Sequence, residues 1–116
     1  MTGSPGVSAN ILVVDDDPEL GEMVATFARQ LGHEATFTLQ PGEALSILTT
    51  QPFDLVITDL GMAMMDGITL CARIAGAWPD VPVIVLTGHG SMETAVNAMR
   101  AGAYDFLTKP VDADML

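Results

Sequence analysis

The chain has 116 residues, 49% of them hydrophobic, with a mean hydropathy of +0.40, enough to build one core of ordinary domain size and too apolar for a disordered segment. Four Lys and Arg stand against 15 Asp and Glu, and the resulting net charge of −11 repels nucleic acid phosphates and anionic membrane surfaces. One cysteine, Cys71, has no partner for a disulfide within the chain, and no run is long and apolar enough for a membrane span or a secretory h-region, so a reducing, cytoplasmic setting is expected.

Residues 1–9 mix Gly, Ser, Thr and Pro without an apolar period and read as a flexible leader to a single domain over 10–116. Ile11 to Val14 is a first strand that runs into Asp15-Asp16. Asp17 is placed to cap the helix opened by Pro18, where Leu20, Met23, Val24, Phe27, Ala28 and Leu31 follow the helical period up to Gly32. His33 to Thr38 reads as a second strand, and Pro41 to Thr49 as a short helix with Ala44, Leu45 and Leu48 inward. Asp54 to Thr58, nearly all apolar, predicts a strand covered on both faces and ends on Asp59. A loop over Leu60 to Met65 enters a helix at Asp66-Gly67 that reaches about Ala75, with Cys71 in a stripe with Leu70 and Ile74 that makes it a buried, inert thiol. Pro79 and Pro82 precede a fourth strand, Val83 to Leu86, which ends on Thr87. Ser91 is placed to cap a helix carrying Met92, Ala95, Val96 and Met99 and closed by Gly102. A fifth strand near Tyr104 to Leu107 leads to Thr108 and Lys109, the only lysine, and a fifth helix has barely begun at Leu116.

Strand and helix segments in alternation predict an α/β fold with a parallel sheet. The C-terminal strand ends then share the edge where open α/β sheets bind ligands, bringing carboxylates, a hydroxyl and an ammonium together. Carboxylates in close pairs repel by about 4 kcal/mol at an effective dielectric near 20, and a hard divalent cation such as Mg²⁺ offsets that. Each residue also has an ordinary reading: capping for Asp15 and Asp16, a strand-end turn for Asp59, a common strand residue in Thr87, a solvated charge in Lys109, core packing for Phe106. His33 and His89 read as solvated, and Met62, Met64 and Met65 as a soft loop cluster.

The motifs ILVVDDD, ITDLGMAMMDG, VIVLTGHG and YDFLTKP, in this order and spacing, resemble the receiver domain of two-component response regulators over Asn10 to Leu116. The resemblance implies a doubly wound, flavodoxin-like (CheY-like) five-stranded sheet of order 2-1-3-4-5. It makes Asp59 the phosphoacceptor for a phosphoryl group from a sensor histidine kinase or phosphotransfer protein. Mg²⁺, with Mn²⁺ as a substitute, is then held by Asp16, Asp59 and the Gly61 carbonyl, and by Asp15 through water. Lys109, Thr87 and the loop amides of Gly61 and Gly88 bind the phosphoryl group, and a cis Lys109-Pro110 bond is implied. Thr87 and Phe106 form the switch, read out on the surface around the fourth helix, fifth strand and fifth helix. The implied activity is self-phosphorylation and slow autodephosphorylation, not turnover of a substrate. GSMETAVNAMRAGAYDFLTKP is similar to receivers of sigma-54-dependent, NtrC-type transcription regulators, which implies an output domain outside this chain; a sheet face left partly uncovered by a short fifth helix would favour a homodimer, and the net charge of −11 argues against direct contact of this segment with nucleic acid or membrane.

Three departures qualify the resemblance: Ala63 stands where the family commonly has proline, Gly88 where alanine is usual, and the fifth helix is truncated. Gly88 leaves access to water and predicts a short-lived phosphoaspartate. Two other classes compete. A haloacid-dehalogenase-type phosphatase would use Asp15 as nucleophile, but it needs a later acidic pair and gives Asp59 no task; a degenerate receiver would act as a binding module alone. An EF-hand is excluded, because Leu20 and Thr26 stand where its turn glycine and bidentate glutamate belong.

Overall fold

The computed structural model describes residues 8–59, 67–87 and 92–108, with the side chains of residues 67, 87, 92–95, 106 and 108 excepted. Among the described residues nine elements alternate: β1 (Asn10–Val14), α1 (Pro18–Gln30), β2 (Glu34–Thr38), α2 (Pro41–Thr50), β3 (Leu55–Asp59), α3 (Gly67–Ala77), β4 (Val83–Thr87), α4 (Met92–Ala101) and β5 (Asp105–Thr108). All strand pairs are parallel and the sheet order is β2-β1-β3-β4-β5, the doubly wound order expected.

Successive side chains on a strand point to opposite faces, and the core divides accordingly. Leu12, Val14, Val56, Val83 and Val85 pack with Ala44 and Leu48 of α2, Leu70, Cys71 and Ile74 of α3, and Ala98 of α4. Ile11, Val13, Ile57 and Leu86 pack with Val24, Ala25 and Ala28 of α1. Burial on both faces explains why β1, β3 and β4 are near-continuous apolar runs with no polar alternation. The helix ends follow local chemistry. Asp17 caps α1, its carboxylate accepting from the amides of Glu19 and Leu20, and Gly102 closes α4 at φ +117, in the left-handed region.

Several boundaries and burial assignments differ from the sequence expectation. β2 begins at Glu34, because His33 is occupied in the turn from α1, its amide donating to the Ala28 carbonyl. α3 continues to Ala77 and β5 starts at Asp105, leaving Tyr104 outside the strand and 72% exposed although its amide donates to the Val83 carbonyl. Leu31 is the C-terminal cap of α1 and is exposed, since the chain turns away before its side chain can reach the sheet. Among the described side chains of α4 the buried one is the small Ala98, while Val96 and Met99 are exposed. The leader over 1–7, the Ser91 cap, the segment over 60–66 and the incipient fifth helix lie outside the described residues.

Candidate functional site

Parallel register sets the site. Val14 of β1 pairs with Thr58 of β3, so Asp15, one step beyond β1, lies beside Asp59, the last residue of β3. Asp16 follows in the turn into α1. Among the described residues these three are the one group of acidic or metal-ligating side chains close enough to share an ion, offering carboxylate oxygens all within 4.8 Å of one another. Asp15 is 1% and Asp59 6% exposed, while Asp16 is open to solvent.

The turn holds these groups by ordinary backbone chemistry. The Asp17 amide donates to Oδ1 of Asp15 at 2.9 Å, and Oδ2 of Asp15 is shut off from solvent. Because Asp17 spends its own carboxylate on the amides of Glu19 and Leu20, at 3.0 and 3.4 Å, it serves α1 and not the cluster, as expected. At 4.8 Å, two buried carboxylates repel by about 3.5 kcal/mol at an effective dielectric near 20; solvent screens the share that Asp16 adds.

The donor set fits Mg²⁺. All three groups are hard oxygen ligands, and octahedral bonds near 2.1 Å require ligand oxygens about 3 to 4.2 Å apart, so oxygens within 4.8 Å of one another need at most a small contraction. Asp16 is exposed, so one side of the cluster stays open to solvent.

Of the other expected site residues, Thr87 stands at the same edge by backbone register and Phe106 two residues short of it. Thr87 ends β4 and pairs with Thr108, the residue before Lys109, and Phe106 pairs with Val85. Lys109, Gly61 and Gly88 lie outside the described residues, as do the side-chain roles expected of Thr87 and Phe106. Cys71 is fully buried and burial pushes its thiol pKa up, so it is the inert thiol expected. His33 is not simply solvated: its Nδ1 accepts the Ala9 amide at 3.0 Å and ties the approach to β1 onto β2.

One residue escaped the sequence reading. Thr38, the last of β2, is buried, and its carbonyl accepts the Asp15 amide at 3.2 Å. A threonine closing a strand, five residues ahead of a glutamate in a helix's first turn, was the available signal.

Comparison with known proteins agrees with the fold. The family description "Response regulator receiver domain" matches residues 11–116. The chain is 44% identical over 108 residues to the transcriptional regulatory protein GlrR of Escherichia coli K12, covering 93% of this chain and 24% of that protein. Crystallographic NtrX from Brucella abortus superposes with a TM-score of 0.88 at 38% identity, over 94% of this chain and 25% of that one. A response regulator receiver domain from Clostridium thermocellum, 35% identical, superposes at 0.85 over 91% of this chain and 86% of its own. The chain thus spans about a quarter of the length of the curated relatives it matches.

Proposed function

The chain belongs to the response regulator receiver family, and on that premise we propose that Asp59 accepts a phosphoryl group, with Asp15 and Asp16 completing a divalent cation site beside it. The observation that carries this reading is the meeting of three carboxylates, two of them buried, at the C-terminal edge of a parallel sheet.

In the proposed step a carboxylate oxygen of Asp59 attacks phosphorus on a donor phosphohistidine. The new P–O bond forms as the P–N bond breaks, and the electron pair leaves with the imidazole, which takes up a proton. Burial of Asp59 at the end of β3 holds the nucleophile in one orientation, which is most of what such a transfer requires of a protein. Bound Mg²⁺, held by Asp16 and Asp59 with Asp15 in support, would supply positive charge against the phosphoryl oxygens. Lys109, the only lysine, and the loop amides of Gly61 and Gly88 are proposed to bind those oxygens as well. Thr87 and Phe106, on paired neighbouring strands, are proposed as the switch that passes the modification to the α4 and β5 surface.

A sensor histidine kinase is the proposed donor. An output domain of the kind found in transcription regulators is proposed to lie beyond this segment, in keeping with the quarter-length match. Treatment with acetyl phosphate, with and without Mg²⁺, followed by phosphopeptide mapping, tests the reading. Mg²⁺-dependent label on Asp59, absent in Asp59→Asn, is expected. Label that persists in Asp59→Asn and disappears in Asp15→Asn would transfer the nucleophile's role to Asp15, as in a phosphatase.

A further inference from the structure

Four polar side chains are buried among the described residues: Asp15, Asp59, Thr58 and Thr38. The first two belong to the acidic cluster, and the Thr58 hydroxyl bonds to the Asp59 carbonyl at 3.2 Å. Thr38 is the remaining one, and it sits on a different strand.

Among the described residues β2 is an edge strand, paired with β1 alone, and strand ends of this kind fray readily unless something ties them down. The last rung of the β1–β2 ladder runs from the Asp15 amide to the Thr38 carbonyl at 3.2 Å. Just past that rung the Thr38 hydroxyl makes two further bonds. It accepts the Gln40 amide at 3.3 Å and donates to Oε1 of Glu43, an exposed residue in the first turn of α2. The side chain therefore pins the end of β2 to the start of α2, and the backbone carries that restraint to Asp15. The Asp15 carboxylate is held from the other side by the Asp17 amide at 2.9 Å.

We propose that Thr38 is a positioning residue for the cation site, fixing Asp15 through the β2 backbone while its hydroxyl is anchored to Glu43 and the Gln40 amide. This rests on the reading of Asp15, Asp16 and Asp59 as a cation site. Outer-shell partners that orient metal ligands commonly change affinity about 10- to 100-fold when deleted, and Thr38, acting through backbone on a residue that reaches the cation through water, belongs at the lower end.

The variant Thr38→Val keeps the side-chain shape and deletes the hydroxyl. Two readouts apply: hydrogen exchange of the Asp15 amide in cation-free protein, and Mg²⁺ affinity by titration calorimetry. Faster Asp15 exchange and Mg²⁺ binding weakened about tenfold are expected, with both restored in Thr38→Ser. Val83→Ala, at the opposite end of the sheet, should lower stability without moving either readout. Should Thr38→Val not fold, Glu43→Leu removes the acceptor from an exposed position and should move both readouts in the same direction. Unchanged exchange and affinity in Thr38→Val would overturn the assignment. If the unmodified protein binds no Mg²⁺, the cation reading itself fails, and the exchange measurement still decides whether Thr38 holds Asp15.

Discussion

Gly21 of α1 lies so close to Phe37 of β2 that a Cβ built on it would fall 2.0 Å from Cε1 of the ring. The glycine is needed here for proximity and not for backbone conformation. It lets the first turns of α1 settle onto the sheet directly after the acidic turn, and so helps to fix where Asp15 and Asp16 stand.

Two opposed effects then govern Gly21→Ala. Alanine gains up to about 1 kcal/mol of helix propensity, while forcing the Phe37 ring aside costs about 1 to 3 kcal/mol. Urea denaturation should show a net loss of about 1 kcal/mol in the native background. In a Phe37→Ala background the obstruction is gone, and the same substitution should stabilise by about 0.5 to 1 kcal/mol. A loss of equal size in both backgrounds would show that the ring does not set the cost.

Asp17 stands in a row of three aspartates, yet its carboxylate is committed to the amides of Glu19 and Leu20. Asp17→Ala should cost about 1 kcal/mol in unfolding free energy, the usual value of a lost N-cap. Mg²⁺ affinity, measured on the same sample, should change far less than in Asp16→Asn. Equal losses of affinity would place Asp17 in the cation site.

Charge repulsion within the cluster predicts an inversion of stability with cation. Without divalent ions, Asp59→Asn should unfold at higher denaturant than the native sequence, by about 1 kcal/mol, because one of two buried like charges is removed. With Mg²⁺ at about 100 times its dissociation constant the native sequence should gain about 2.7 kcal/mol, and the variant little. Denaturation with chelator and with Mg²⁺ gives both comparisons.

Burial of Cys71 fixes the direction of one pH dependence. The folded protein keeps its thiol proton to higher pH than the unfolded chain, so between the two pKa values it binds more protons and stability falls as pH rises. The contribution is fully present below the unfolded thiol's pKa of about 8.5 and is lost as pH climbs through the raised native value. Stability against pH should therefore fall more steeply above that point in the native sequence than in Cys71→Ala. Thiol reagents should label the folded protein only as fast as it opens.

The framework was legible because its signals are local and redundant. Buried parallel strands leave continuous apolar runs, and Asp17-Pro18 at one helix start and Gly102 at another helix end mark boundaries by mechanisms that act within a few residues. Asp15, Asp16 and Asp59 could be grouped because strand ends in one parallel sheet must share an edge. What the sequence concealed depends on packing across elements. Leu31, Val96 and Met99 fit the helical period yet are exposed, because α1 ends in a turn at Leu31 and α4 presents Ala98 to the core. Thr38 looked like any strand threonine, since its bonds run to the start of α2 and to the turn after β1.

Asp15, Asp16 and Asp59 are proposed to gather one divalent ion, and the phosphoryl transfer depends on it. Titration calorimetry with Mg²⁺ on the native sequence and on Asp16→Asn and Asp59→Asn tests that directly. The prediction is one ion per chain in the native protein, with binding severely weakened in both variants. Native binding that survives unchanged in both, or no binding heat in the native protein, would contradict it.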